Sequence, residues 1–196
     1  MRILILALVA TCFIACGGDK VYTPKPKMYP RVIYPTKAYE DKQPSDCSFT
    51  FRAPTYADIV KDEYFYEDDI VDPCWFDIVV PELQASIHCS YYPLQSRAQL
   101  DELVADAFEV TNKHTIKANY IEEALIANPS RSVYGLLFAV DGPVATPLQF
   151  YLTDSTDHFF RASLYFDSKV NPDSTAPIVQ YLQQDIDTII SSWQWQ

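Results

Sequence analysis

Glycine is almost missing from this chain, and that narrows the folds open to it more than any other feature. Only four of 196 residues are Gly, at positions 17, 18, 135 and 142. Phosphate-cradling loops need several glycines at fixed spacing so that backbone N–H groups approach the ligand. Neither a P-loop nor a dinucleotide fingerprint can be written with Gly135 and Gly142. The GxSxG nucleophile elbow is excluded on the same ground.

The body instead alternates apolar and polar positions between Pro-, Asp- and Ser-rich turns. Trp75 to Val80 and Gln84 to Tyr92 read as strands joined by Pro81-Glu82-Leu83, a hairpin. In the second run Ala85, Ile87, Cys89 and Tyr91 share one face, and Ser86, His88, Ser90 and Tyr92 the other. Val133 to Val140, Ala145 to Thr153 and His158 to Asp167 read as a three-stranded antiparallel meander, with turns at Asp141-Gly142-Pro143 and Asp154 to Asp157. Ser96 to Gln99 has the form of a capping box, followed by an apolar stripe of Leu100, Leu103, Val104, Ala107 and Phe108. A C-terminal helix is expected from near Pro177, with Val179, Leu182, Ile186, Ile189, Ile190 and Trp193 inward. A shorter helix is expected around Asn119 to Ala127. The fold class is α+β, an antiparallel β-sheet covered by helices.

The N-terminus reads as an address. Met1-Arg2 precedes an apolar run from Ile3 to Ile14, and Ala15-Cys16-Gly17-Gly18 follows. A short positive start, about a dozen apolar residues and a small residue at the cut describe a secretory signal over residues 1–15. The run is shorter than the ~20 residues of a membrane span. Ile14-Ala15-Cys16 has the form of a lipobox, which makes Cys16 the lipidated new N-terminus. Phe13 departs from the usual Leu, and Cys12, preceded by Thr11, is a weaker candidate. Residues 16–45 then read as a tether holding Pro24, Pro26, Pro30, Pro35 and Pro44. At ~3.1 Å per residue in polyproline conformation it reaches up to ~90 Å. Tyr22, Tyr29, Val32, Ile33, Tyr34 and Tyr39 are interleaved with those prolines, so Tyr29 to Tyr39 are expected to lie against the body or a partner. Residues 46–196 read as one domain.

Charge divides at the same boundary. The tether carries Lys20, Lys25, Lys27, Arg31, Lys37 and Lys42 against Asp19, Glu40 and Asp41, which suits a negatively charged membrane surface. The whole chain is acidic, with 15 basic against 26 acidic residues and a net charge of −11. Such a surface repels phosphates, so nucleic acid is not a partner. Asp58, Asp62, Glu63, Glu67, Asp68, Asp69 and Asp72 form the densest acidic stretch. It lacks the spacing and central Gly of a calcium loop and reads as solvated.

Few residues point to chemistry. An exported chain meets an oxidising compartment, so Cys47 and Cys74, both in polar turn-prone sequence, are expected to pair. Cys89 lies on an apolar strand face and is expected to be free and inert; three unpaired thiols is the alternative. His88, His114 and His158 show no HxxxH, CxxC or HExxH spacing, so a metal site would need long-range assembly. His88 and its neighbour Cys89 point to opposite strand faces, against a Cys–His pair. In the meander, Gln149, Tyr151, Arg161 and Tyr165 share one face, a Tyr/Arg mixture of the kind enriched at interfaces. That face is either an interaction surface or lies under a helix or in solvent.

The chain also resembles a known family. The stretches that carry the resemblance are Tyr29-Pro30-Arg31 with Tyr34-Pro35, Asp72-Pro73-Cys74-Trp75, Ser86-Ile87-His88 and Lys113 to Ala118. Val133 to Leu137, Gln149 to Thr156 and Arg161 to Phe166 complete the set. In this order they resemble the gliding-motility lipoproteins GldD of Bacteroidota, with Cys89 where relatives carry an apolar residue. The resemblance implies a cell-envelope lipoprotein needed for surface gliding and the linked type IX secretion system, lipidated at Cys16. It supplies no catalytic mechanism, and the residues themselves lead us to expect no metal and no cofactor. The order of strands and helices is also similar to a PsbP/Mog1-type sandwich. A non-enzymatic accessory factor, held at the membrane by acyl chains on Cys16 and contacting other gliding and secretion proteins, is the expected function. Gly17-Gly18 carries no acidic export cluster, so the domain is expected to face the periplasm. The rivals are a small-ligand or glycan-binding lipoprotein, and a divergent hydrolase using His114 or His158.

Overall fold

A computed structural model of the chain describes residues 31–45, 47–61, 74–168 and 171–196. The signal segment, Cys16 and the acidic stretch beyond Asp58 lie outside the described residues. The elements are β1 (Tyr39–Lys42), β2 (Phe49–Pro54), β3 (Asp58–Lys61), β4 (Phe76–Val80), β5 (Ala85–Pro93), α1 (Arg97–Asn112), β6 (Tyr120–Asn128), β7 (Val133–Asp141), β8 (Leu148–Thr153), β9 (His158–Phe166), α2 (Pro172–Ser192) and β10 (Gln194–Trp195). Seven strands form one antiparallel sheet in the order β3-β4-β5-β9-β8-β7-β6, and β1-β2-β10 form a second.

The expected hairpin is β4 and β5, with Ile78 opposite Ile87, and the expected meander is β7, β8 and β9. The sheet continues past the meander, because Tyr120–Asn128 is a strand and not the helix read there. Glu122, Glu123, Ala124 and Leu125 favour helix locally, yet nine residues pair with β7 from Tyr120–Asp141 to Asn128–Val133. Tertiary pairing overrides a weak local preference. Two connections share one design: Pro opens a three-residue 3-10 turn at Pro81–Leu83 and at Pro129–Arg131. Each ends on a left-handed residue, Gln84 at φ 49° and Ser132 at φ 52°.

Both helices begin on identifiable signals. Ser96 caps α1 by accepting from the Gln99 N–H at 3.2 Å, while the Gln99 side chain accepts from the Gln95 N–H, one residue before the position a capping box predicts. α2 starts at Pro172, five residues before the expected Pro177, which sits inside the helix. A proline fits a first helical position because its missing N–H has no intrahelical partner there. Asn171 anchors that start, its carbonyl accepting from the Ser174 and Thr175 N–H groups at 3.0 Å.

The large sheet is covered on both faces. One face packs Phe138, Tyr151 and Phe159 against Leu100 and Ala107 of α1. The other packs Ile78, Ile87, Leu148, Phe150, Leu152, Phe160 and Leu164 against Ile178, Leu182, Ile186 and Ile189 of α2 and against Phe49 and Phe51 of β2. Trp193 is fully buried, its ring 4.5 Å from Phe49, 5.3 Å from Phe51 and 4.3 Å from Phe160 between centroids. Cys47 and Cys74 form a disulfide with Cα atoms 5.3 Å apart, and Cys89 is free and buried.

Candidate functional site: the arm seat and the sheet face

Residues 31–42 run along α2 from its N-terminal end, held by a polar cluster around Asp185. Asp185 lies on the buried stripe of α2 and is 1% exposed. Its Oδ1 accepts from Lys37 Nζ at 2.7 Å and the Tyr39 hydroxyl at 2.8 Å, and its Oδ2 accepts from the Tyr56 hydroxyl at 2.6 Å. A carboxylate taken out of water needs such donors, and three converge on it. Lys37 also donates to the Tyr181 carbonyl at 2.8 Å and sits 3.5 Å from the centre of the Tyr181 ring. The Tyr181 hydroxyl donates to the Pro35 carbonyl at 2.5 Å, and its ring packs on Tyr34 at 4.7 Å. Burial lowers the Lys37 ammonium from its ordinary value, and Asp185 opposes that shift. Burial raises the phenols of Tyr39, Tyr56 and Tyr181, so all three stay protonated and able to donate at neutral pH. β1 completes the seat by pairing with β2, Tyr39 opposite Pro54 and Lys42 opposite Phe51.

The sheet face singled out from sequence is divided. Tyr151 is 8% exposed and stacks on Phe159 at 5.5 Å under α1. The Arg161 guanidinium donates to Asp106 of α1 at 2.9 Å. Gln149 is 3% exposed and donates to the Thr146 hydroxyl at 2.9 Å. Tyr165 alone is open, at 37% exposure, with its ring edge-on to His88 at 4.8 Å. For Tyr151 and Arg161 the geometry is that of a face lying beneath a helix, while Gln149 is buried against the β7–β8 connection.

Openings on the described surface near these residues include a cavity and a groove. A cavity of about 340 Å³ lies between the β7–β8 connection and the start of α2, lined by Val140, Val144, Pro147, Tyr165, Phe166 and Val179 among others. A groove of about 470 Å³ runs between α1 and the β6–β7 pair, where Leu125 is 80% exposed and Tyr134 stands beside it. β6 is an outer strand of the sheet, so among the described residues one row of its backbone groups has no strand partner.

Each histidine is engaged. His88 Nδ1 lies 2.5 Å from Asp77 Oδ1 on the neighbouring strand. His158 Nδ1 lies 2.6 Å from the Tyr91 hydroxyl, with its ring stacked on Trp195. His114 Nε2 lies 2.6 Å from the Thr146 hydroxyl, and burial lowers its pKa. Thr146 is 3% exposed and held by both His114 and Gln149, which ties the segment after α1 to the β7–β8 connection. Among the described residues, no three His, Cys, Asp or Glu side chains come together as metal ligands. No helix among them is long and apolar enough to cross a membrane.

The Asp185 seat is not legible in the sequence, because its partners lie 129 to 148 residues from Asp185. One signal was present: an acid on the apolar stripe of α2, between Leu182 and Ile189.

Among solved structures the chain is similar to the solution structure of the cyanobacterial PsbP protein of Synechocystis, at 12% identity and a TM-score of 0.49, covering 83% of this chain and 95% of that one. No curated relative matches it. The model of one family matches residues 19–195, from the tether through the seat and both helices to the last strand, and the chain belongs to that family, the gliding motility lipoproteins GldD.

Proposed function

We propose that the protein is a non-catalytic accessory or assembly factor of the gliding machinery and of the type IX secretion system linked to it. In this reading acyl chains on Cys16 hold it in the membrane, and the domain faces the periplasm and works through contacts with other envelope proteins. The observation that carries the reading is the seated arm. Lys37, Tyr39 and Tyr56 converge on Asp185, and Tyr181 holds Pro35 and Lys37 beside it, so the segment leading to the anchor leaves the domain at a fixed point. A domain held that way presents a constant surface to its neighbours. The surface assigned to partners is the groove of Leu125 and Tyr134 with the open edge of β6, since apolar side chains beside an unpaired strand edge suit protein contact.

The test is deletion of the gene in its native host, scored for surface spreading and export of type IX cargo. Wild type should restore both traits. Cys16→Ala should fail to restore them, and Leu125→Asp should fail while the protein stays folded and abundant. Normal spreading and export in the deletion strain would overturn the proposal. The cavity beside Tyr165 favours a second reading, binding of a small ligand. Under that reading Ala176→Phe, which fills the cavity, abolishes function and Leu125→Asp does not.

A further inference from the structure

Every strand turn on one side of the large sheet lies where the arm leaves the domain. β4 ends and β5 begins there at Val80 and Ala85, β9 ends at Phe166, β7 ends at Asp141, β8 begins at Leu148 and β6 begins at Tyr120. The start of the described arm occupies this end. Arg31, Val32 and Ile33 line a cleft with Leu83, Phe166 and Ile178. Phe166, Ser168 and Thr175 line both that cleft and the cavity that includes Gly142 and Val144. Gly142 in turn packs against Lys117 and Ala118, so the segment after α1 closes the far side of the same end.

This end concentrates the exposed apolar side chains. Among the described residues, four large hydrophobic side chains are more than 60% exposed: Ile33 at 80%, Ile116 at 89%, Tyr120 at 61% and Leu125 at 80%. The first three stand here, on three separate segments. Cys16 lies fifteen residues before Arg31, ~45 Å in polyproline conformation and at most ~54 Å fully extended, so the membrane cannot be far from this end. Lys113 and Lys117 flank Ile116, and long cationic side chains beside an apolar tip suit an interface between hydrocarbon and water. Glu82, Asp141, Asp167 and Asp173 are also at this end, so apolar contact and not charge must drive the association.

We propose that this end of the domain docks on the lipid bilayer itself, with Ile33, Ile116 and Tyr120 entering the headgroup region while the opposite end, at Ser130, points away. The inference rests on the acyl anchor at Cys16. Tethering raises the effective concentration of the surface at the bilayer, so three side chains suffice where a free domain would need more.

The test uses the full lipidated chain in vesicles of phosphatidylethanolamine and phosphatidylglycerol. With Cys47 and Cys74 paired and Cys89 buried, Ile116→Cys adds one reactive thiol for a polarity-sensitive dye. Lipid-borne quenchers should reduce its emission about twofold or more, and should leave a dye at Ser130→Cys unchanged. Ile33→Cys should repeat the Ile116 result through a different segment. Equal quenching at both ends, or quenching at Ser130 alone, overturns the docking. So does a chain that sediments with vesicles while its Ile116 dye stays in water, and that outcome leaves the anchor intact. A folded chain that does not sediment at all removes the anchor and this inference with it.

Discussion

Removing the Asp185 carboxylate should release the arm, and the size of the effect can be worked out from the seat. Asp185 accepts three hydrogen bonds of 2.6 to 2.8 Å, one from an ammonium and two from phenols. Breaking a buried pair by deleting one partner costs about 3–5 kcal/mol, because the remaining charge is stranded. The Lys37 side chain keeps 23% exposure and can turn towards water, which places Asp185→Ala near the lower end, at about 3 kcal/mol. At ~1.4 kcal/mol per tenfold, the undocked arm becomes roughly 100-fold more populated. Trypsin cleavage after Lys37 in the native protein reads that population directly when the arm opens and closes faster than it is cut. If the arm belongs to the cooperative unit, the same loss appears as a fall in Tm of roughly 6–12 °C. Asp185→Asn keeps the shape and an acceptor for the phenols, so it should fall between wild type and Asp185→Ala. A variant cut after Lys37 at the wild-type rate, with an unchanged Tm, would refute the assignment of Asp185 as the seat.

Three further outcomes are expected. The double variant Cys47→Ser/Cys74→Ser should lose about 3–4 kcal/mol of stability, the loop-closure term for 27 residues of separation, read by urea unfolding with and without reductant; no difference would mean the bridge constrains nothing in the unfolded chain. Cys89 should ignore thiol reagents in the native state and react on unfolding, because burial pushes its thiol well above the ordinary value; fast native labelling would contradict its packing. Burial works against the Asp154 carboxylate, yet the N–H groups of Thr156, Asp157 and His158 at 2.9 Å hold its pKa below the ordinary value. A depressed native pKa adds stability that is complete above the unfolded value of ~3.9 and is lost as pH falls through the native one. Asp154→Ala should therefore flatten the acid limb of a Tm-against-pH curve, and an unaltered limb would dismiss this role.

Elements with two-residue alternation were legible because each strand's own sequence carries the pattern. Ala85, Ile87, Cys89 and Tyr91 announce the buried face of β5 whatever their neighbours. β6 was not legible, since its residues are mostly exposed and Glu122 to Leu125 leave no apolar alternation. A signal was nonetheless available in the turn. Asn128-Pro129-Ser130-Arg131-Ser132 repeats the shape of Val80-Pro81-Glu82-Leu83-Gln84, the connection of the β4–β5 hairpin. The start of α2 was misplaced because two prolines competed for one role. What separates Pro172 from Pro177 is the anchoring of Asn171 by Ser174 and Thr175. Strand alternation puts Gln149, Tyr151 and Arg161 on one face, but whether a helix lies on that face is decided by α1, which sequence cannot orient.

The seat and the membrane-facing end act on the same segment, so they must be coupled. While Lys37 and Tyr39 are held by Asp185, fifteen residues separate Cys16 from Arg31, and Ile33 is held at the end of the sheet. Once released as far as β1, which stays paired with β2, the tether extends to about Ala38, which lengthens its reach from ~45 to ~70 Å. Effective concentration falls roughly as the −3/2 power of tether length, so lengthening alone costs about a factor of two in contact with the bilayer. Loss of Ile33 from the docking end removes a third of its exposed apolar residues as well. Asp185→Ala should therefore weaken lipid quenching of a dye at Ile116 by at least about twofold, although Asp185 is itself buried beneath the arm. Ile116→Asp, conversely, should leave trypsin cleavage after Lys37 unchanged in detergent and speed it on vesicles, where docking helps to hold the arm in place. Quenching that is indifferent to Asp185, or cleavage after Lys37 that is indifferent to the bilayer, would separate the two sites and leave the seat as a structural clasp alone.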